Sequence, residues 1–401
     1  MKKIIIIGGG YGGIKALETL SKSNQDIEVT LIDQHAFHYL QTESYNFIAS
    51  KIPLQETFIY LPTLIASFGK NFRFIQDRAI DIFDYKVFCE NGYYEFDYLI
   101  IATGSVTKFL KGFKEKGRYS FGVKSLRAAL KVKQFFEKEL FDRLEITQAK
   151  KSFNIIVIGG GLSGIEIATE MKAYFNNYSK NNALTCKNIN IKIISKHILK
   201  RQNKKVINKV LKRLKRLNVE IVRNYVKRIE ENRAILDDNS SIDFDFAIFA
   251  GGIEPSPFIK NLNFTKNRKG FLVVDEFLRV DKNIFAIGDC AELLDRNKNI
   301  VPPTAQSAKQ SGTIAAKNIL RLMENKKLLK ADIKLMGMAI SLGGKYAITI
   351  TPMGVIISGF LGWIVKKLIE KYYKIPLKIK ALKGYRKLKM CKKDYYENIF
   401  Y

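Results

Sequence analysis

The chain begins with a run of apolar residues, which gives way to a helical pattern of apolar positions. Residues 3–7 read Lys-Ile-Ile-Ile-Ile, a β-branched run that suits a strand buried on both faces of a parallel sheet. Ile14, Leu17 and Leu20 then recur at the spacing of one helix face. Ile27–Ile32 form a second apolar run. The pattern predicts a strand, a helix and a second strand parallel to the first.

The same alternation returns in the middle of the chain. Residues 154–158 are an apolar run, Ile165 and Met171 belong to a helical pattern, and a strand is predicted over Ile189–Ile194. Three further apolar runs end in small or acidic residues, and they lie at 98–104, 246–252 and 283–289. Two strand–helix–strand units in one chain predict an α/β fold with two Rossmann-like domains.

A glycine-rich turn joins the first strand to the helix in each unit. Residues 8–13 and 159–164 both fit G-x-G-x-x-G, in which the second glycine lets the backbone approach a pyrophosphate. The helix N-terminus that follows offers free N–H groups to the phosphates. Asp33 ends the second strand of the first unit, where a carboxylate can accept ribose hydroxyls. Two such sites predict one bound flavin dinucleotide and one exchangeable nicotinamide dinucleotide.

These landmarks predict a nested domain layout. The fold class is α/β, with two nested Rossmann-like dinucleotide-binding domains and a C-terminal membrane-associating α+β region. Residues 1–109 and 256–330 are expected to form a discontinuous FAD-binding domain. Residues 110–255 are expected to form the NAD(P)H-binding domain, and residues 331–401 the C-terminal region.

Composition and charge narrow the class of protein. The 401 residues are 47% hydrophobic, which is ordinary for a globular chain. The net charge of +30 calls for an anionic partner, either nucleic acid or an acidic-lipid membrane surface. No CxxC joins the scattered cysteines, which argues against a metal site or a redox-active pair and favours a reducing, cytosolic location. They are Cys89, Cys186, Cys290 and Cys391. The N-terminal apolar run is too short for an export signal.

The C-terminal region contains an uncharged stretch over residues 346–365. Proline and glycines make it a poor spanning helix, so we expect a strand over Tyr346–Thr351 and an amphipathic helix from about Gly354. Trp363 and apolar residues beside Lys366, Lys367 and Lys371 are typical of a helix that lies in the membrane interface. A basic tail over 372–393 would add attraction to anionic lipid. The alternative is a core-packing helix followed by a solvated tail.

The order of these motifs resembles the flavoproteins with two dinucleotide-binding domains. Within that superfamily the chain most resembles the type II NADH:quinone oxidoreductases, which are single-subunit NADH dehydrogenases that do not pump protons. Residues 303–310, Pro-Thr-Ala-Gln-Ser-Ala-Lys-Gln, look like the quinone-site motif AQxAxQ of that family. His38–Gln41 with Tyr45 also resembles its early aromatic stretch.

The resemblance implies an enzyme that passes electrons from NADH or NADPH through non-covalent FAD to a membrane quinone. For FAD, the implied residues are Gly8, Gly9, Gly10, Tyr11, Gly12, Gly13, Asp33, Gln34, Ala79, Thr103, Gly104, Gly288, Asp289, Ala305 and Gln306. For the nicotinamide dinucleotide, they are Gly159, Gly161, Gly164, Ser195, Gly251 and Gly252. Gln306 and Gln310 would meet the quinone, and Glu166 is the candidate proton carrier; its structural alternative is a helix first-turn acid.

The chain departs from the family at the second strand of the nicotinamide domain. The strand ends in Ser195 and Lys196, where the family has an acid for the adenosine ribose. Lys196, Lys200 or Arg201 could instead meet a 2′-phosphate, so NADPH use stays open. Thr42 replaces a proline that is frequent in the family, which weakens the match locally.

The expected partners are a membrane quinone and the anionic membrane surface on the cytoplasmic side, where the protein would be peripheral. The apolar C-terminal face could also form the interface of a homodimer. Two alternatives stay open: a soluble NAD(P)H-dependent reductase with a protein or small-molecule acceptor, and a basic nucleotide-sensing or nucleic-acid-binding protein. No helix-turn-helix, RNA-recognition or zinc-spacing motif supports the latter, so we expect no nucleic-acid partner.

Overall fold

The computed structural model describes residues 1–110, 120–145, 152–181 and 189–388. Cys186, Cys391 and the last part of the predicted basic tail lie outside these residues. The helices are α1 (Tyr11–Leu20), α2 (Ser44–Ile48), α3 (Leu61–Ala66), α4 (Leu126–Glu145), α5 (Leu162–Asn181), α6 (Lys204–Leu217), α7 (Pro257–Asn261), α8 (Ala305–Met323) and α9 (Phe360–Leu388). Short 3₁₀ turns lie at Gln41–Glu43, Leu54–Glu56 and Gly288–Cys290.

The first sheet has six strands, which are parallel except for the antiparallel edge strand Arg279–Asp281. Its β-branched strands are buried on both faces, as the continuous apolar runs predict. The strand order is Arg279–Asp281, Ile284–Ala286, Tyr98–Ile101, Lys2–Ile7, Ile27–Asp33 and Phe72–Gln76. Strands from both ends of the predicted split domain therefore share one sheet.

The second sheet has five parallel strands. Its order is Ser120–Gly122, Phe246–Phe249, Phe153–Ile158, Ile189–Ile194 and Val219–Val222. The predicted α/β fold with two nested Rossmann-like domains is confirmed, because each glycine turn follows a central strand of its own sheet.

Antiparallel pieces complete the two domains. Each domain carries a three-stranded meander; one consists of Ala79–Phe83, Lys86–Cys89 and Gly92–Glu95, the other of Val226–Glu230, Arg233–Leu236 and Ser241–Asp243. Ser105–Thr107 pairs with Ile253–Pro255 where the chain passes between the domains. The remaining short pairs are Phe37–Tyr39 with Phe58–Tyr60 and Leu272–Val273 with Ala291–Glu292.

The C-terminal region is a three-stranded antiparallel sheet followed by the long helix α9. The strands are Met338–Ser341, Ala347–Ile350 and Ile356–Gly359. The prediction that the helix begins near Gly354 was wrong, because residues 356–359 pair with 347–350 and extend the sheet. Gly354 and Gly359 have φ of +79° and +84°, which places turns before and after that strand. Residues 372–388, predicted as a basic tail, continue α9.

Two glycines allow α9 to pack closely against the rest of the protein. A Cβ on Gly362 would lie 2.6 Å from the carbonyl oxygen of Ala347, and a Cβ on Gly384 would overlap the carbonyl oxygen of Thr63. One face of α9 therefore packs closely on the C-terminal sheet and on α3, while its other face is exposed. Among the described residues, no helix has both the length and the apolar character needed to cross a membrane.

Candidate functional site

The first glycine turn combines two crowded glycines with one open glycine. A Cβ on Gly8 would lie 2.4 Å from the carbonyl oxygen of Ala102, and one on Gly13 would lie 2.0 Å from that of Gly8. Gly8 also has φ of +109°, a value that favours glycine. Gly10, in contrast, has open space where a side chain would stand. The crowded glycines hold the turn, and the open glycine leaves room for a phosphate.

Asp33 lies at the end of the neighbouring strand and contacts the same turn. Its carboxylate accepts hydrogen bonds from the backbone N–H of Gly9 at 2.6 Å and of His35 at 2.8 Å. Burial raises the pKa of this carboxyl group. Gln34 follows Asp33, and Ala79 begins the first meander beyond the adjacent strand. The structure therefore brings the predicted FAD residues of this edge together.

Residues from three distant segments meet beside this turn. Thr103 Oγ1 is buried beside the Cys290 thiol and forms no hydrogen bond with a nitrogen or oxygen atom among the described residues. Gly104 has φ of +64° and open space at its Cβ position. Asp289 accepts a hydrogen bond from Ser105 at 3.1 Å and forms a 2.9 Å ion pair with Lys124. A buried hydroxyl whose only neighbour for hydrogen bonding is a thiol, next to an open glycine, fits a polar dinucleotide such as FAD.

Helix α8 packs its beginning against the first turn. Gly312 allows this, because a Cβ there would lie 2.3 Å from the carbonyl oxygen of Gly12. Gly288 N donates to Ser311 on the same helix at 3.1 Å. Thr304 caps the helix and accepts from Ser307 N at 3.1 Å. Ala305 thus begins α8 at the predicted flavin site, where the helix N-terminus favours negative charge.

The two glutamines predicted to meet the quinone are occupied by backbone contacts. Gln306 donates to Gly337 O at 3.2 Å and accepts from Met336 N at 2.7 Å. Gln310 donates to Lys334 O at 2.7 Å and accepts from Lys334 N at 3.0 Å. Both side chains therefore hold the segment 334–337, which leads into the C-terminal sheet, against α8. Their contact with quinone stays a prediction.

The second glycine turn repeats the geometry of the first. A Cβ on Gly159 would lie 2.6 Å from the backbone of Ala250, and one on Gly164 would lie 2.1 Å from the carbonyl oxygen of Gly159. Gly161 and Gly252 have open space at their Cβ positions. Gly251 joins Gly252 to the strand Phe246–Phe249 at the same edge of the sheet. The turn is therefore suited to a second dinucleotide.

Glu166 belongs to a buried charged cluster that local sequence did not reveal. Its Oε1 accepts from Lys366 Nζ at 2.9 Å and from Ser341 N at 3.0 Å. Lys366 also lies 3.5 Å from Glu370, and Glu370 accepts from the Tyr45 hydroxyl. The expectation that Lys366 faces a membrane was wrong, because its side chain is only 9% exposed. The one sequence feature that could have indicated a buried lysine is the position of Lys366 directly after the apolar run 360–365.

Burial and charge set the protonation of this cluster. Burial raises the pKa of Glu166, although the nearby Lys366 ammonium opposes the change. Burial would raise the pKa of Glu370 too, but Lys366 and Lys367 lower it below its usual value. Burial would lower the pKa of Lys366, and its two carboxylate partners reverse this and raise it. Glu166 is therefore the carboxylate of the pair that takes up a proton more readily.

His38, the first residue of the aromatic stretch His38–Gln41, connects the first glycine turn to α9. Its Nδ1 lies 2.8 Å from Gly9 O, and its Nε2 lies 3.0 Å from the Tyr373 hydroxyl. A carbonyl can only accept, so Nδ1 carries the proton and Nε2 accepts from Tyr373. Burial lowers the pKa of His38 to about 4. His38 is thus a neutral link between the glycine turn and the C-terminal helix.

We expect Gly10→Ala and Gly161→Ala to separate the two nucleotide sites. Neither Cβ meets a protein atom, so the melting temperature of the flavin-free protein should stay unchanged. Gly10→Ala should weaken FAD binding, and Gly161→Ala should raise the KM for NADH, each about tenfold for roughly 1.4 kcal/mol of lost contact. Each variant serves as the control for the other. Equal effects of both variants on both ligands would contradict the assignment of one ligand to each turn.

Two open glycine turns, each at the carboxyl ends of the parallel strands of its own sheet, are typical of proteins with two dinucleotide-binding domains. The chain belongs to the pyridine nucleotide-disulphide oxidoreductase family, which it matches over residues 2–312. That match covers both glycine turns and the beginning of α8.

Individual relatives show which members of this family the chain resembles. The chain is 28% identical over 391 residues to a probable NADH dehydrogenase of Dictyostelium discoideum, covering 90% of this chain and 83% of that protein. It is 28% identical over 393 residues to the type II NADH:quinone oxidoreductase of Haemophilus influenzae, covering 85% of each. The structure of NDH2 from Plasmodium falciparum in complex with NADH shares the fold, with a TM-score of 0.80 at 20% identity over 97% of this chain and 98% of that one. The resemblance predicted from the sequence is confirmed.

Proposed function

We propose that the protein oxidises NADH and reduces a membrane quinone through bound FAD, without pumping protons. The observation that carries this proposal is the pairing of two open glycine turns with the buried Glu166–Lys366 pair, which joins the second turn's helix to α9. The sequence relatives that support the proposal are a probable NADH dehydrogenase and a type II NADH:quinone oxidoreductase. The nested domain boundaries predicted from the sequence are part of the proposal.

The first turn, with Asp33, Thr103, Gly104 and Asp289, would hold FAD. When bound, FAD accepts a hydride from the nicotinamide and passes two electrons onward. The second turn, with Gly251 and Gly252, would hold NADH so that its nicotinamide reaches the flavin. Ala305 and the N-terminus of α8 would stabilise negative charge at the flavin site. Gln306 and Gln310 would form the wall of the quinone site.

Glu166 would hold the proton that quinone reduction requires. Burial raises the pKa of its carboxyl group, so Glu166 holds a proton more readily than an exposed glutamate does. Lys366 fixes the position of the carboxylate and keeps a cation beside it when the proton leaves. Glu370 and Tyr45 complete a hydrogen-bonded path from this pair.

The exposed face of α9 would attach the protein to the membrane surface. Its exposed apolar residues begin with Leu361 and, from Leu368 onward, recur every three or four positions, at Leu368, Tyr372, Ile375, Ile379 and Leu382. Exposed Lys371 and Lys383 flank this face, which suits anionic lipid at the cytoplasmic side of the cell membrane. A quinone dissolved in the bilayer would then lie next to the catalytic domains.

We expect Leu368→Glu to weaken binding to vesicles of phosphatidylglycerol and phosphatidylcholine about 10- to 100-fold, because a buried leucine contributes roughly 1.5–3 kcal/mol. Leu368 is 61% exposed, so the fold should not change. Phe83→Glu is the matched control, since Phe83 is 72% exposed on the first meander. Equal loss in both variants would contradict attachment through α9. A changed oligomeric state with unchanged vesicle binding would assign the face to a homodimer instead.

Anaerobic flavin spectroscopy tests the proposed reaction. The purified protein should contain FAD, its absorbance should bleach on addition of NADH, and a short-chain quinone should restore it. Bleaching without recovery would remove quinone as the acceptor and favour a soluble reductase. A protein that binds no flavin after reconstitution would overturn the proposal.

A further inference from the structure

The two dinucleotide sites differ at one equivalent position. Ile7 pairs with Ile32 in the first sheet, and Ile158 pairs with Ile194 in the second. The residues that follow these pairs, Asp33 and Ser195, therefore occupy the same place relative to their glycine turns. Asp33 Oδ2 lies 3.4 Å from the Cβ position of Gly9, and Ser195 Oγ lies 2.9 Å from that of Gly160. A hydroxyl thus replaces the carboxylate that the first site presents.

The difference decides what the adenosine ribose meets. A carboxylate at this position accepts the 2′-hydroxyl of the ribose and repels a 2′-phosphate. Ser195 has no charge, and its hydroxyl donates to His197 O at 2.9 Å. The second site therefore lacks the group that excludes a phosphorylated ribose.

Positive charge takes the place of the missing carboxylate. Lys196 follows Ser195 and is exposed, with its ammonium 5.8 Å from the centre of the Tyr225 ring. The loop then folds back on the glycine turn, because Leu199 N donates to Gly160 O at 2.9 Å. This contact places Lys200 and Arg201 next to the turn, where both are exposed. Within the described chain, Lys196, Lys200 and Arg201 form no ion pair.

We propose that this site binds the 2′-phosphate of NADPH and that the enzyme uses NADPH at least as efficiently as NADH. Lys196 is the principal contact, supported by Lys200 and Arg201. A 2′-phosphate carries nearly two negative charges, so charge-assisted hydrogen bonds to these side chains outweigh the loss of a 2′-hydroxyl contact. The inference rests on the proposed function only in assigning this turn to the nicotinamide cofactor.

Binding of nucleotide fragments tests the site without the redox reaction. The full-length holoprotein should bind 2′,5′-ADP at least tenfold more tightly than 5′-ADP in isothermal titration calorimetry at about 0.1 M salt. Lys196→Glu should reduce 2′,5′-ADP affinity about 10- to 100-fold and leave 5′-ADP affinity nearly unchanged. Lys215→Glu is the control, because it makes the same charge change on the exposed face of α6.

Kinetics supply a second, independent readout. The kcat/KM for NADPH should equal or exceed that for NADH, and Ser195→Asp should reverse this order. Equal binding of the two ADP fragments, together with a strong preference for NADH, would overturn the inference and leave the NADH oxidoreductase intact. Selective binding of 2′,5′-ADP by a protein whose flavin no nucleotide reduces would support the phosphate site and overturn the proposed function.

Discussion

Lys366→Met is expected to lower the free energy of unfolding by about 3–5 kcal/mol, the cost of leaving a buried charge without its partner. Lys366 Nζ lies 2.9 Å from Glu166, 3.5 Å from Glu370 and 3.2 Å from Ala339 O. Methionine fills a similar volume but neutralises neither carboxylate. Two buried acids would then face each other, and urea unfolding followed by circular dichroism measures the loss.

A matched variant distinguishes this buried pair from an ordinary surface ion pair. Lys367 lies 2.7 Å from the same Glu370, but its side chain is 26% exposed. Lys367→Met should therefore cost less than about 1 kcal/mol. Lys366→Met combined with Glu166→Gln should recover part of the lost stability, since it removes one of the unpaired charges. Equal losses for Lys366→Met and Lys367→Met would contradict the role given to Lys366.

Lys366→Met should also affect catalysis, but in only one of the two half-reactions. Without Lys366, the Glu166 carboxyl should hold its proton to higher pH, because burial already raises its pKa and the opposing cation is gone. Stopped-flow measurement should show slower flavin reoxidation by quinone, with flavin reduction by NADH nearly unchanged. A purely structural role would slow both steps together.

The two dinucleotide-binding units were predictable because their signals are local. Each consists of a β-branched run, a glycine turn and a helix, and the crowded positions of Gly8, Gly13, Gly159 and Gly164 show why only glycine fits. The positions of Asp33 and Ser195 follow from the strand register. The fold and the nucleotide edge of each site thus depend on residues close in sequence.

The rest of the site depends on partners far apart along the chain. Lys366 is separated from Glu166 by 200 positions along the chain. The pattern of apolar residues in α9 alone predicts that Lys366 faces lipid, and this prediction was wrong. The amides of Gln306 and Gln310 match a family motif, yet their partners lie in the irregular segment 334–337. Residues 356–359 likewise form a strand because they pair with the preceding strand, and α9 therefore begins later than the sequence predicts. No local periodicity encodes these contacts.

His38 should make the stability of the protein depend on pH in mildly acidic solution. Burial lowers its pKa from 6.5 to about 4, so the unfolded chain binds more protons than the folded chain between these values. The stabilising contribution is complete above pH 6.5 and is lost as the pH falls towards 4. A difference of about 2.5 pH units corresponds to roughly 3 kcal/mol.

Comparison of variants isolates this contribution from that of the carboxylates. His38→Asn keeps a donor for Gly9 O but does not titrate, so its stability should change less than that of the native chain between pH 6.5 and 4.5. His197→Asn is the control, because it removes an exposed histidine by the same substitution. Urea unfolding at several pH values measures all three proteins. Parallel curves for the native chain and His38→Asn would show that His38 is not held neutral.

The same change in pH should also release the flavin. His38 fixes the carbonyl of Gly9 in the turn that would hold FAD, and its other nitrogen accepts from Tyr373 of α9. Protonation of Nε2 turns this acceptor into a donor and places a buried positive charge beside the turn, so the hydrogen bond from the Tyr373 hydroxyl is lost while Nδ1 still donates to Gly9 O. Tyr373→Phe, which removes only the hydroxyl, should weaken FAD retention at neutral pH by about 1 kcal/mol. Recovery of flavin fluorescence on release measures this, and unchanged retention in Tyr373→Phe would limit the role of His38 to the glycine turn alone.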